Sequence, residues 1–241
     1  AGLGMSTLLS LTDITTGYGA QNVLHGVSLE IAEGGLTAII GPNGHGKTTL
    51  LRAISGLMPL RSGSMLLGGQ SLVGLRPDEI VDAGIVHVPQ GDMLFPEMTV
   101  LENLRMGAYL PAASAEAPRR LEQVFALLPK LKDRRSQIAS TLSGGERRMV
   151  GIGRGLMAGG RLLMLDEPSL GLAPIVIDQI YDVVSELAAA GQSILVVEEN
   201  AARVADKAAL IALLDNGELV WSGAGAELMA RPEILETYLG A

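Results

Sequence analysis

Eight consecutive residues, Gly41-Pro42-Asn43-Gly44-His45-Gly46-Lys47-Thr48, follow the G-x-x-x-x-G-K-[ST] spacing of a loop that cradles phosphate. Gly44 and Gly46 carry no Cβ, so the backbone can take positive φ and turn its N–H groups inward. Lys47 offers a full positive charge to β- and γ-phosphates, and Thr48 offers a hydroxyl to Mg²⁺. The flanks suit the task. An apolar strand, Leu36-Thr37-Ala38-Ile39-Ile40, precedes the loop, and a helix-compatible run from Thr49 to Ile54 follows it. The start of that helix adds a partial positive charge.

A second set of chemically apt residues lies far downstream. Arg161-Leu162-Leu163-Met164-Leu165-Asp166-Glu167 is an apolar strand ending in two acids. Ligands of open parallel sheets sit beyond the carboxyl ends of the strands. That would put Asp166 beside the Mg²⁺ of a nucleotide held by Lys47 and Thr48, and Glu167 one residue on, as general base for an attacking water. Between the two sets, Leu142-Ser143-Gly144-Gly145-Glu146-Arg147 opens a helix. Ser143 and Glu146 form a capping box. A cap does not need two adjacent glycines, which make sense if something, such as another phosphate, must approach the backbone closely.

The elements that must position these residues can be read from pattern. Leu8 to Ile14 and Val23 to Ile31 alternate apolar and polar, as strands do. Residues 47–58 read as a helix, Pro77 to Ala83 as another, and Ile85 to Val88 as a strand. From 100 to 160 the pattern is mostly helical, broken at Pro111 to Pro118 by a small-residue stretch read as an exposed loop. Leu162 to Leu165 and Ile194 to Val197 are short apolar runs of strands buried on both faces, with a helix from Ile175 to Ala190 between them, a β-α-β unit. Ala209 to Ser222 reads as a hairpin turning at Asn216-Gly217, and a helix from about Ala226 to Leu239 closes the chain. Gly151, Gly153 and Gly155 each weaken the helix after Gly145 by up to ~1 kcal/mol, so close packing against a neighbouring helix is expected.

Bulk properties bound the function. The chain has 241 residues, enough for one large α/β domain, and a formal net charge of −8, which argues against nucleic acid as a partner. It has no cysteine, so disulfides and thiolate metal sites are excluded. His25, His45 and His87 have no metal-ligand spacing and are read as structural or surface residues. No apolar run reaches the roughly 20 residues needed to cross a bilayer. Ala1 to Gly4, before Met5, reads as a cloning remnant.

The phosphate loop, Leu-Ser-Gly-Gly-Glu and Leu-Leu-Met-Leu-Asp-Glu-Pro, in this order and spacing, resemble the nucleotide-binding subunit of an ABC (ATP-binding cassette) transporter. The resemblance implies an α/β fold: a RecA-like P-loop NTPase core with an antiparallel β subdomain and an α-helical subdomain. It implies one cassette over 5–241, with core and β subdomain near 5–90 and 160–241 and the helical subdomain near 91–159. ATP and Mg²⁺ would be the cofactors. Gly41 through Thr49 would hold nucleotide, with Tyr18 stacked on adenine, and Ser143, Gly144, Gly145 and Glu146 would contact the ATP of a second ATPase subunit. Thr48, Gln90 and Asp166 would serve the metal, and Glu167 and Gln90 the catalysis. Gly91 to Leu104, with Phe95 and Met98, would face a transmembrane permease on the cytoplasmic side of the membrane, and an extracytoplasmic solute-binding protein would belong to the same system.

Glu167 to Pro174 and Val197 to Ala201 further resemble the LivF-type ATPases of branched-chain amino-acid importers; cassettes for urea or short amides look alike, and a P-loop ATPase outside transport is the remaining alternative. Two positions depart from the wider pattern. Ala173 stands where many members carry an Asp, and Glu199 where many carry a switch histidine. A carboxylate ~4 Å from a γ-phosphate would cost about 4 kcal/mol per charge pair at an effective dielectric near 20, so Glu199 is expected to point away, pair with a cation or be protonated. The missing histidine implies that one of two composite sites is weak. His45 is expected to project into solvent, with phosphate or a partner chain as alternatives.

Overall fold

A computed structural model describes residues 6–91 and 93–239. Residues 1–4, read as a cloning remnant, lie outside the described residues.

Two sheets are built. The first has the order β2-β1-β4-β5 and is antiparallel, from β1 (Thr7–Thr16), β2 (Leu24–Ala32), β4 (Ser62–Leu67) and β5 (Gln70–Ser71). The second has the order β10-β9-β3-β8-β7-β6, from β3 (Gly35–Ile40), β6 (Ile85–Val88), β7 (Leu162–Asp166), β8 (Ser193–Glu198), β9 (Leu210–Asp215) and β10 (Glu218–Gly223). Its strands are parallel except β10, which returns from β9 as a hairpin. Every residue of β7 and β8 is buried, which is why both read as unbroken apolar runs. The hairpin turns at Asn216 and Gly217, both at positive φ, as Asn-Gly favours.

The helices are α1 (Lys47–Ile54), α2 (Pro77–Ala83), α3 (Val100–Met106), α4 (Pro111–Leu127), α5 (Pro129–Asp133), α6 (Gly144–Ala158), α7 (Pro174–Ala189), α8 (Gly225–Met229) and α9 (Pro232–Ile234). One apolar core, with Leu9, Ile39, Leu50 and Met164, fills the space between the two sheets and α1. A second, with Ile40, Leu165, Ile180 and Val196, lies on the other face of the parallel sheet against α6 and α7. A third, with Leu104, Val124, Leu131 and Val150, joins α3, α4, α5 and α6. No helix among the described residues is long and apolar enough to cross a membrane.

Three expectations need correction. Pro111 to Pro118 is not a loop but the first half of α4. Pro111 sits at the first helical position, where a missing N–H costs nothing, and alanines carry the helix past Pro118. The helix expected over 47–58 stops at Ile54, since Gly56 takes φ +69°. The closing helix is broken at Arg231-Pro232 into α8, α9 and a final π-helical turn over Leu235–Leu239. Proline cannot supply the hydrogen bond that would carry α8 onward.

Candidate active site

β3 feeds the phosphate loop at Gly41, where φ is +154° and a Cβ would lie 2.1 Å from the carbonyl oxygen of Leu214. Only glycine lets the loop lie this close to β9. At the other end Gly46, φ +109°, starts α1 with no side-chain cap and no acid in the first turn. The first amides of α1 are therefore left to an anion. Lys47 is 4% exposed, and its Nζ donates to the carbonyls of Gly41 (2.8 Å) and Pro42 (3.0 Å) and to Asn43 Oδ1 (3.4 Å).

The two acids after β7 come to this loop. The Thr48 hydroxyl donates to Asp166 Oδ1 at 3.2 Å. Asp166 Oδ2 is buried with no hydrogen-bond partner among the described residues. Burial raises the Asp166 pKa, Glu167 adds to the rise, and the Thr48 bond and the charges of Lys47 and Arg52 oppose it. A cation is what such an orphaned oxygen wants. Among the described residues no group of three or more His, Cys, Asp or Glu could hold a metal alone. Thr48 and Asp166 instead suit a hard ion such as Mg²⁺ that keeps waters and phosphate oxygens in its shell.

Glu167 is 6% exposed. Its Oε1 lies 3.5 Å from Lys47 Nζ, and its Oε2 accepts from Gln90 Nε2 at 2.8 Å. Its backbone takes φ +46°, a conformation that costs a non-glycine residue about 1–3 kcal/mol. Asn43, Gly44, Gly46 to Thr49, Gln90, Glu167 and Leu170 line one cavity of about 250 Å³.

Other expected site residues lie elsewhere. Ser143, Gly144, Gly145 and Glu146 do not line this cavity. They start α6 with the expected capping box: Glu146 Oε2 accepts from the Ser143 amide (2.9 Å), and the Glu146 amide donates to Ser143 Oγ (3.4 Å). The Ser143 amide, first among several partners, holds the Glu146 carboxyl below its usual pKa. Gly145 has a packing reason of its own, since a Cβ there would lie 2.4 Å from Val176 Cγ1 on α7. Tyr18 is 49% exposed on the β1–β2 loop, its hydroxyl accepting from Arg52 at 3.0 Å. Phe95 is exposed with the Arg154 guanidinium 5.8 Å from its ring centre, and Met98 is half-buried. Ala173 and Glu199 are both exposed, whereas Glu198, the last residue of β8, is buried.

His45 does not project into solvent. Its ring folds back onto the β9–β10 turn, with Nδ1 2.7 Å from Asp215 Oδ1, and its carbonyl accepts from the Gly217 amide at 3.0 Å. Sequence reasoning missed Asp215, which is 170 positions from its partner. It also missed Arg203, which reaches both Glu198 and Ser169; an arginine in a short helical turn gives no local signal of either contact.

Comparison with known proteins extends these observations. The sequence profile of the ABC transporter family matches residues 24–170. The chain is 41% identical to the high-affinity branched-chain amino acid transport ATP-binding protein BraG of Pseudomonas aeruginosa, covering 97% of this chain and 100% of that one. It is 33% identical to the probable branched-chain amino acid transport ATP-binding protein LivF of Archaeoglobus fulgidus, over 97% and 99% of the two chains. The crystal structure of an ATP-binding cassette of an ABC transporter in its ADP conformation superposes with a TM-score of 0.84 at 31% identity, covering 96% of this chain and 98% of that one. The fold is thus the expected α/β P-loop NTPase fold.

Proposed function

The chain belongs to the ABC transporter family, as its ATP-binding and ATP-hydrolysing subunit, and from that premise we propose that it drives import of branched-chain or other hydrophobic amino acids. Subunits of this family dimerise and work with transmembrane permeases. The amino-acid cargo is supported by the names of BraG and LivF. A solute-binding protein outside the membrane and a place on its cytoplasmic face complete the reading, with residues 5–241 as one cassette.

The observation that carries the mechanism is the meeting of Lys47, Thr48, Gln90, Asp166 and Glu167 at one cleft. Lys47 exchanges its loop carbonyls for the β- and γ-phosphates. That exchange also draws its charge from Glu167 and leaves the carboxylate to act as base. Thr48 and Asp166 would hold Mg²⁺, which would neutralise charge on the phosphates. Gln90 orients the carboxylate and the attacking water, and Glu167 takes the water's proton. The exposed Tyr18 packs on the base. Ser143, Gly144 and Gly145 stand outside their own chain's phosphate cleft and so serve the nucleotide of a second subunit facing head to tail. ATP then binds the closed pair better than the open one, and its hydrolysis removes that difference, which moves the permease.

Replacing Lys47 with Ala should abolish ATP binding. Glu167→Gln should keep binding, lower turnover by about 10²–10⁴-fold and favour an ATP-held dimer in size-exclusion chromatography. Normal steady-state hydrolysis by Glu167→Gln removes Glu167 from the base role. For the cargo, ATPase activity of the co-purified complex should rise with leucine-loaded binding protein; stimulation by urea or short amides alone would reassign the substrate.

A further inference from the structure

A group of polar side chains beside the loop after β7, buried except for the half-buried Arg203, has no part in the hydrolysis scheme. Glu198, the last residue of β8, is 1% exposed. Its Oε1 accepts from the Tyr181 hydroxyl of α7 at 2.6 Å, and its Oε2 lies 3.2 Å from Arg203 Nη1. The same Arg203 nitrogen donates to Ser169 Oγ, and Ser169 is 1% exposed. Burial, with the Glu198 carboxylate beside it, pushes the Tyr181 hydroxyl far above its usual pKa, so it stays a donor.

Ser169 is two residues from Glu167, whose left-handed backbone persists only if its surroundings over-determine it. On one side the Glu167 amide donates to the carbonyl of Val197 in β8 at 3.0 Å. On the other, Leu170 N–H returns to the Glu167 carbonyl at 3.2 Å and Leu172 N–H to the Ser169 carbonyl at 3.3 Å. Val197 and Glu198 are consecutive. β8 therefore grips this loop twice, through its backbone at Glu167 and through Glu198 and Arg203 at Ser169.

We infer that Arg203 is a positioning residue for hydrolysis: held by Glu198, which Tyr181 fixes in turn, it anchors Ser169 and so keeps the Glu167 carboxylate aimed at Lys47 and Gln90. The inference rests on the general-base role of Glu167 given above. It also ties the segment after β8 to the loop after β7 in a chain where Ala173 and Glu199 occupy the two positions that depart from the wider pattern.

Ser169→Ala isolates the effect, because it leaves the Arg203–Glu198 pair intact. In the complex co-purified with its membrane subunits, kcat for ATP should fall about tenfold or more with KM within about twofold. The melting midpoint should stay within about 2 °C of the wild type. Arg203→Lys should recover part of the activity lost in Arg203→Ala. Amide hydrogen exchange over residues 167–172 should speed up in Ser169→Ala whether or not the complex turns over. A kcat within about twofold of the wild type, unchanged exchange, or a loss of activity matched by loss of thermal stability would overturn the inference. A wild-type complex that fails to hydrolyse ATP would instead bring down the general-base reading, and the exchange measurement would still decide whether Ser169 holds the loop after β7.

Discussion

His87 shows how one side chain's surroundings set its chemistry. It sits in β6, where Ser55 Oγ donates to the Leu51 carbonyl at 2.7 Å and so must accept from His87 Nδ1, 3.0 Å away. Nε2 is left buried without a partner among the described residues. Burial first, and the Arg52 charge second, lower the His87 pKa to about 4. The unfolded chain therefore binds a proton at His87 between pH ~6.5 and ~4 that the folded chain refuses. The stability from keeping His87 neutral is complete above pH ~6.5 and falls by about 3 kcal/mol as pH drops to ~4. Urea unfolding across this range should show a shallower pH dependence in His87→Gln than in the wild type. At this scale the sequence revealed residues whose meaning is local. The phosphate loop could be read because its spacing lies within eight positions, and Ser143 and Glu146 because a cap spans three. Asp215 for His45, and Arg203 for Ser169, were illegible because tertiary folding alone brings them together.

Among the elements, α6 depends on what it lacks. A Cβ on Gly153 would lie 2.8 Å from Leu104 Cδ2 of α3, the close helix contact expected there, whereas one on Gly155 would lie 2.7 Å from Val88 Cγ2 of the strand β6. Just past α3, a Cβ on Gly107 would sit 2.0 Å from the Arg154 carbonyl oxygen of α6. Gly107 has a φ of −66°, which any residue accepts. Gly107→Ala should therefore destabilise through the clash alone, by about 3 kcal/mol, seen as a lower melting midpoint. The β-α-β unit was legible because buried parallel strands read as apolar runs. α4 was misread because prolines at both ends of a small-residue stretch signal a loop unless the first proline opens a helix and the alanines outweigh the second. The break at Pro232 is the converse, an interruption that the sequence displayed and the apolar pattern around it masked.

At the scale of the whole molecule, the sheet order places the ends of β3, β7 and β8 side by side, and the site follows from that order. The motif sequence made this arrangement legible through the resemblance. Pattern alone gave the parallel sheet but neither the strand order nor the seating of the antiparallel sheet. One consequence lies in the grip of the β9–β10 turn on the phosphate loop. His45 is held there by the Asp215 carboxylate and the Gly217 amide, while Gly41 fits against the Leu214 carbonyl. A cradle braced in this way needs no ordering when an anion arrives. Stopped-flow mixing with inorganic pyrophosphate should show a single phase whose rate rises linearly with concentration, and a plateau marking a slow rearrangement before capture would contradict such rigidity.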